Sequence, residues 1–268
     1  MLKSIAVKIL SLIMPDPMKR MQKAIVSEYR RAIGLNSSGL MNDLKLPEGY
    51  GRGLPERVVE ILMARLSHRS GARVLDVGHA NAMKCHLEMI DDLRDMRLYG
   101  IDITQPVYDA DKRYEKSYLE DITKTSFQDG SFDLIWCISA LEHFGMDNTG
   151  YTKEFRSGEG MDVAAVIEML RLLSLKGSML ITVPFGKYEN HKWMRNYDEE
   201  RWNSILDIIK GKADIIELYF HHDESHGWVK TNKESLANSG YYDQKNAGAA
   251  AIAAVFATKR GNSDCSQD

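Results

Sequence analysis

The stretch that most constrains this chain is residues 73–82, with the sequence RVLDVGHANA. A short apolar run ends at Gly78, small residues follow, and residues 83–93 are compatible with a helix. A buried parallel strand that enters a tight turn and then a helix produces this pattern. Glycine lets the backbone approach a ligand closely, and the start of a helix offers unpaired N–H groups. The stretch therefore predicts the first strand and ligand-binding loop of an α/β nucleotide-binding fold.

Strands and helices alternate along the rest of the chain. Hydrophobic patterning predicts strands at 97–103, 114–119, 132–138, 178–184, 215–220 and 250–257, and helices at 55–67, 83–93 and 162–173. Asp162 is placed to cap the last of these helices. Strands that alternate with helices specify a parallel sheet with right-handed crossovers. The predicted fold class is α/β, a Rossmann-like, doubly wound and mostly parallel sheet.

An acidic residue ends the second predicted strand. Asp102 lies 24 residues after Gly78, and in Rossmann-like folds an acid about 20 residues beyond the glycine turn binds ribose hydroxyls. A carboxylate can accept hydrogen bonds from both hydroxyls at once. The alternative is an ordinary solvated loop aspartate. We expect Asp102 to hold the ribose of a nucleotide-like ligand.

Four motifs follow one another in a fixed order. They are DVGHANA from Asp76, the pair Asp121-Ile122, the turn DGSFD at 129–133, and Leu-Glu-His ending at His143. This order resembles the class I S-adenosylmethionine-dependent methyltransferases, and the resemblance runs from Asp76 to about residue 186. The segment TVPFGK at 182–187 adds a resemblance to bacterial enzymes that modify glycans or small molecules.

The resemblance implies S-adenosylmethionine as the cofactor and one antiparallel edge strand, for which residues 250–257 are the candidate. Asp121 and Ile122 match the family position that contacts the adenine ring. The resemblance and the strand ends together predict a set of cofactor-binding residues. They are Asp76, Gly78, His79, Asn81, Asp102, Ile103, Asp121, Ile122, Ser139 and Glu142.

Methyl transfer from a sulfonium is an in-line displacement, so the protein has mainly to align the acceptor with the methyl group. A hydroxyl or ammonium acceptor also loses a proton, and a base that titrates near neutral pH assists that loss. His143 is the predicted catalytic residue, because it follows the fourth strand and unperturbed histidine has a pKa of about 6.5. The alternative is a histidine that only shapes the cofactor pocket.

Polar and aromatic residues in the C-terminal third predict an acceptor-binding cap. The residues predicted to bind the acceptor are Tyr188, His191, Trp193 and His222. The histidines at 221, 222 and 226 and their acidic neighbours could alternatively form a metal site. However, adjacent residues of a strand point to opposite faces, so His221 and His222 are poorly placed to bind one ion. A polar pocket wall or a solvated loop is favoured over residues 219–228, and no metal is predicted.

Composition limits the partners. The net charge of −3 disfavours a nucleic-acid acceptor. Three scattered cysteines without a CxxC pair indicate a reducing compartment, and no apolar run approaches the length of about 18 residues that spans a membrane. These features predict a cytoplasmic protein that acts on a small-molecule acceptor.

The first 35 residues carry seven Lys or Arg against two acidic residues, and apolar residues recur at helical spacing over 5–13. One interpretation is an amphipathic helix in peripheral contact with a membrane. The favoured one is a helix that forms a lid or packs in a homodimer. The predicted organisation is an N-terminal helical extension and loop at 1–53, an S-adenosylmethionine-binding domain at 54–260, and a polar tail at 261–268.

The predicted function is S-adenosylmethionine-dependent methyl transfer to a hydroxyl or amine of a small molecule, with a sugar or glycosylated metabolite as the favoured acceptor. The enzymatic alternative is an RNA methyltransferase, which the basic N-terminus supports. The other alternative is a catalytically silent fold that binds the cofactor or a partner. Its motivation is the loss of two family glycines, which Ala80 and Ala82 replace.

Overall fold

An eight-stranded sheet runs through the protein, and its strands lie side by side in the order 116–119, 97–102, 73–77, 132–138, 173–184, 251–259, 213–223 and 227–231. In the computed structural model the described residues are 16–36, 39–93, 95–106, 113–150, 158–244 and 248–261. The predicted helical pattern at 5–13 and all but the first residue of the predicted tail lie outside them.

Five parallel strands form one half of the sheet. They are β1 Arg73–Val77, β2 Arg97–Asp102, β3 Lys116–Leu119, β4 Phe132–Ile138 and β5 Leu173–Pro184. β1 pairs with β2 on one side and with β4 on the other, so the strand order reverses there. Ligands bind at such a reversal, beyond the carboxyl ends of the strands.

Antiparallel strands complete the other half: β8 Ala213–Asp223, β9 Gly227–Thr231 and β10 Ala251–Lys259. The predicted α/β fold is confirmed, and β10 is antiparallel as expected. However, β10 lies inside the sheet between β5 and β8, and the antiparallel edge strand is β9. The start of β9 overlaps the segment 219–228, for which the sequence favours a polar pocket wall or a solvated loop. A separate two-stranded hairpin joins β6 Glu189–Asn190 to β7 Arg195–Asn196.

Five helices cover the two faces of the sheet. They are α1 Pro17–Ile33, α2 Arg57–Ser67, α3 Lys84–Asp92, α4 Met161–Leu172 and α5 Glu199–Lys210. The first three pack in one buried apolar cluster and the last two in another. β1 serves both clusters, because Val74 points into the first and Leu75 into the second. None of the described helices is both long and apolar enough to cross a membrane.

Two helix starts show how local chemistry sets the boundaries. Asp16 caps α1 by accepting the Met18 N–H at 3.0 Å, and Pro17 occupies the first helical position. The predicted cap of α4 is wrong, because that helix begins at Met161 after the left-handed Gly160. The Asp162 carboxylate instead binds Arg195 and the Tyr197 hydroxyl, both at 2.7 Å.

Gly227 attaches the edge of the sheet to the segment before α2. Its φ of +74° is left-handed, and a Cβ there would lie 2.2 Å from the Tyr50 carbonyl oxygen. The next residue, Trp228, donates its N–H to that same oxygen at 2.7 Å. Glycine is therefore required by backbone conformation and by close approach.

We expect Gly227→Ala to lower the free energy of unfolding by about 2–4 kcal/mol, because strain and a backbone clash add together. Gly71→Ala is the matched control, since Gly71 has a φ of +76° with nothing within 4 Å of an added Cβ. It should cost about 1 kcal/mol through strain alone. Urea unfolding of both variants measures the difference, and equal losses would show that the contact with Tyr50 is unimportant.

Candidate functional site

Two adjoining cavities open at the carboxyl ends of β1, β2 and β4. The larger has a volume of about 360 Å³ and the smaller about 60 Å³. Both are lined by Gly78, Asp102, Ile103 and His143. The site therefore lies at the reversal of strand order, where an open α/β sheet binds its ligand.

Gly78 fixes the turn after β1. Its φ is +79°, and a Cβ there would lie 2.6 Å from the Cβ of Ala140, which follows β4. The chain continues into a short helical turn, His79–Asn81, in which Ala80 is buried. The turn therefore forms although Ala80 stands where the resembled family has glycine. The backbone N–H of Ala80 still points toward β2.

Asp102 is held by that loop. Its Oδ2 accepts the Ala80 N–H and its Oδ1 accepts the Thr104 N–H, both at 3.0 Å. Burial raises the pKa of this carboxyl group above its usual value. Each carboxylate oxygen has a further lone pair, so the fixed group can still accept ligand hydroxyls. The position predicted to bind ribose is in place.

Asp76 is engaged with the protein. Its carboxylate accepts the Tyr114 hydroxyl at 2.7 Å and contacts His86 Nε2 at 2.9 Å. Burial opposes ionisation, but His86 and Tyr114 together hold the pKa of Asp76 below its usual value. Although Asp76 is among the residues lining the larger cavity, these contacts make it an anchor for α3 and the segment before β3.

His79 and Asn81 line the larger cavity in different ways. His79 is buried, its ring lies 4.8 Å from that of Tyr114, and its Nε2 is 3.0 Å from Ser117 Oγ. Asn81 is exposed at the end of the turn. The first is therefore part of the wall, and the second stands at the opening.

The smaller cavity contains the predicted adenine position. Asp121, Ile122 and Ile103 all line it. Asp121 Oδ1 accepts both the N–H and the hydroxyl of Thr123, at 2.9 and 2.8 Å, which fixes the loop after β3. An apolar side chain beside an anchored carboxylate suits a flat ring with polar edges.

Three predicted residues follow β4. Ser139 has a left-handed φ of +44°, lines the larger cavity, and donates its hydroxyl to Glu60 Oε1 at 2.6 Å. Glu142 is buried outside both cavity linings, and burial raises its pKa well above the usual value. His143 lines both cavities.

His143 is held by Trp193. Its Nδ1 lies 3.0 Å from the Trp193 carbonyl oxygen, and because a carbonyl only accepts, this nitrogen carries the proton. The two rings stack with centroids 5.3 Å apart. Burial lowers the pKa of His143 to about 4, so the imidazole is neutral at neutral pH. Its Nε2 lies 3.8 Å from Glu142 Oε1.

The residues predicted to bind the acceptor are not brought together. Trp193 lines the larger cavity. Tyr188 instead carries the Arg201 guanidinium 3.7 Å from its ring centroid, and His191 contacts Glu189 at 3.1 Å. His222, near the β9 edge of the sheet, accepts the Gly53 N–H at 3.0 Å. The last three lie outside the linings of both cavities, and their role in acceptor binding stays a prediction.

Arg57 lines the larger cavity and was not predicted from the sequence. Its Nη1 lies 3.2 Å from the fully buried Glu60, and within the described residues its Nε makes no hydrogen bond. The neighbouring Glu56 is half-buried, and desolvation together with the nearby Glu60 carboxylate raises the pKa of Glu56 to about 7. A cation in the first turn of a helix opposes the helix dipole, and that signal could have singled out Arg57.

Other lining residues that sequence analysis did not select are Met83, His86, Thr104, Phe144 and Asn148. Among the described residues no group of three His, Cys, Asp or Glu side chains could hold a metal ion.

Comparison with known proteins supplies the family. Residues 75–157 match the family described as "Methyltransferase domain". The solved structure of the [4+2]-cyclase SpnF is 18% identical with a TM-score of 0.51, over 76% of this chain and 81% of that one. A Thermotoga maritima protein described as an S-adenosylmethionine-dependent methyltransferase, possible histamine N-methyltransferase, is 11% identical with a TM-score of 0.50, over 87% and 99%.

A third structure is the Burkholderia thailandensis 1,6-didemethyltoxoflavin-N1-methyltransferase, solved with its substrate and S-adenosylhomocysteine. It is 12% identical with a TM-score of 0.49, over 92% of each chain. Residues 75–157 of this chain match a methyltransferase domain, and the fold agrees with the class predicted from the sequence.

Proposed function

We propose that this chain transfers the methyl group of S-adenosylmethionine to a hydroxyl or amine of a small molecule, with a sugar or glycosylated metabolite as the favoured acceptor. The observation that carries the proposal is the pair of joined cavities around Asp102. The smaller cavity is lined by the residues proposed for adenine, Asp102 lies where the two cavities meet, and the larger cavity leaves room for the methionine moiety and an acceptor.

The chemistry of the lining fits the cofactor. Asp102 would hold the ribose, Asp121 and Ile122 the adenine, and Arg57 the carboxylate of the methionine moiety, since its buried Nε makes no hydrogen bond among the described residues. The loop residues Gly78 and Asn81 would flank that moiety. Bound there, the cofactor supplies an activated methyl group on a good leaving group.

The protein's own task is then to orient the acceptor and to receive its proton. Trp193 is 36% exposed and lines the larger cavity, so its ring can stack on a sugar or heterocyclic face. His143, stacked beneath it, would border the acceptor on the cofactor side. Correct alignment alone can contribute several kcal/mol to catalysis.

The fold by itself does not select this reaction, because a protein described as a [4+2]-cyclase shares it. Incubation with methyl-labelled S-adenosylmethionine and a pool of sugars, glycosides and amines separates the proposals. Label in a small acceptor supports the proposed function. Cofactor binding without label in any acceptor, including RNA, would favour the silent fold.

For the N-terminal extension, a helix that forms a lid or packs in a homodimer stays favoured over an amphipathic helix in contact with a membrane. α1 shares a buried cluster with α2 and α3, so this part of the extension packs on the domain proposed for residues 54–260. A lid or dimer role for residues 1–14, and a cytoplasmic location, remain predictions.

We expect micromolar affinity for S-adenosylhomocysteine and a loss of about 10- to 150-fold in Asp102→Ala, because charge-assisted hydrogen bonds to the ribose are removed. Asp214→Ala is the control, since Asp214 is exposed and pairs with Arg260 at the start of β8. Isothermal titration calorimetry gives both constants. Unchanged affinity in Asp102→Ala would remove this residue from the site.

For an acceptor found in the pool, Trp193→Ala should raise the acceptor KM by about 10-fold through lost ring stacking. Tyr188→Ala, in the same loop with its ring under Arg201, should change it little. Steady-state kinetics at saturating cofactor measure both. An equal effect of the two variants would place the acceptor elsewhere along this loop.

The catalytic role of His143 has a pH signature. In the unfolded chain histidine binds a proton near pH 6.5, whereas in the folded protein His143 binds one only near pH 4. Acidification from 6.5 to 4 therefore destabilises the fold, by about 1–3 kcal/mol, and His143→Gln should remove that part. As a base, His143 would be neutral and competent across pH 6–8, giving a flat rate there.

Imidazole proton resonances followed by NMR against pH test this directly, with His226→Gln, an exposed histidine, as the assignment control. A His143 resonance that titrates near pH 6.5 would contradict the burial argument.

His143→Ala should lower turnover by about 10²- to 10⁴-fold if the residue is the base, and wild-type turnover would exclude that role.

A further inference from the structure

Ser139 and Glu60 form a hydroxyl–carboxylate pair at the wall of the larger cavity. Ser139 lines the cavity, and its Oγ donates to Glu60 Oε1 at 2.6 Å. Glu60 lies on α2, 79 residues away in sequence, and its side chain is fully buried. The Ser139 hydroxyl therefore stands between the cavity and a buried carboxylate that does not itself line the cavity.

The Glu60 carboxylate accepts more than one hydrogen bond. The same Oε1 receives the Thr182 hydroxyl at 2.7 Å, and Oε2 faces Arg57 Nη1 at 3.2 Å. Thr182 Oγ1 in turn accepts the Ser139 N–H at 3.0 Å, so its own proton is committed to Glu60. The two hydroxyl donors share Oε1, the Arg57 guanidinium lies beside Oε2, and the Ser139 proton is directed toward Glu60. The lone pairs of Ser139 Oγ are left for a donor on its other side.

The backbone of Ser139 is strained. A φ of +44° is uncommon for a residue other than glycine and costs of the order of 1–3 kcal/mol when it is held in place. Two hydrogen bonds from its N–H, to Thr182 Oγ1 and the Thr182 carbonyl, hold this conformation. Glycine would fit there without strain. A strained serine at the end of β4 is thus a conformation that points to function.

We propose that Ser139 and Glu60 form the proton relay of the methyl transfer. This inference rests on the proposed function. The acceptor O–H or N–H donates to Ser139 Oγ, and Ser139 donates to Glu60. As the acceptor atom bonds to the methyl carbon, the thioether leaves with the electrons of the C–S bond. The acceptor proton passes to Ser139 Oγ and the serine's own proton to Glu60, so Ser139 is unchanged and Glu60 becomes neutral.

Burial favours this route over protonation of His143. Protonating Glu60 removes a buried negative charge, whereas protonating His143 would create a buried positive one. The positive charge of the sulfonium is lost in the same step, so the site gains no charge. An acceptor oxygen that has gained a methyl group is strongly acidic, and a carboxylate is then a sufficient base.

The test compares two ligands by calorimetry. S-adenosylhomocysteine lacks the methyl group, and sinefungin carries an ammonium in its place, whose N–H can donate to Ser139 Oγ. Wild type should prefer sinefungin, and this preference should fall by about 10-fold or more in both Ser139→Gly and Glu60→Gln. The preference is the ratio of two affinities measured in the same variant, so a change in affinity that both ligands share cancels from it.

Ser67→Ala is the control. Ser67 is a buried serine at the end of the same helix as Glu60, and its hydroxyl bonds Trp136 and the Ala64 carbonyl away from the cavity. The ligand preference should not change there. Ser139→Gly also relieves the strained φ, so it keeps the inference testable if Glu60→Gln unfolds.

For any acceptor that the wild type methylates, kcat should fall by about 10²-fold or more in Ser139→Gly and in Glu60→Gln.

The outcomes separate the two proposals. A ligand preference that is absent in wild type, or unchanged in Ser139→Gly, would overturn the relay and leave the proposed function intact. Failure of the wild type to bind S-adenosylhomocysteine would overturn the proposed function, and the relay with it. A loss of preference confined to the two relay variants supports both.

Discussion

The contact between Gly78 and Ala140 is the constraint on which the site depends. β1 and β4 are neighbours, and the turns at their carboxyl ends can lie side by side only because Gly78 has no side chain and adopts a left-handed φ. That closure presents the Ala80 N–H to Asp102 on one side. On the other side it brings the turn after β4, with Ser139, against the same cavity. Backbone contacts therefore fix the positions of Asp102 and Ser139 at the cavity wall.

The site also contains charged side chains that are largely removed from solvent, Arg57 and Glu60. Arg57 pairs with Glu60 beside a cavity of about 360 Å³, and the carboxyl groups of Glu56 and Glu142 are near enough to raise its pKa. Buried ion pairs contribute little to stability, because desolvation offsets their attraction. A cluster of this kind on the helix before β1 is better explained by what it does for ligands and protons. The neutral imidazole of His143 follows from the same dry surroundings.

Local patterns predicted the part of the fold that local forces determine. β4 was predicted at its observed bounds, Phe132–Ile138, because a buried strand between two turns has a distinct signature. α5 was missed, and His222 and Tyr188 were assigned to the acceptor although their partners are Gly53 and Arg201. Such pairings join segments far apart in sequence, or depend on how a loop turns. Asp102 was found because a strand end fixes its place, whereas Arg57 and Glu60 required the packing of α2 on the sheet.

The most direct test of the account is a crystal structure of the protein with S-adenosylhomocysteine. The account predicts the ribose hydroxyls within hydrogen-bond distance of the Asp102 carboxylate, the adenine in the smaller cavity beside Ile122, and the carboxylate against Arg57. A ligand bound with its ribose away from Asp102, or cavities that stay empty at millimolar ligand, would contradict it.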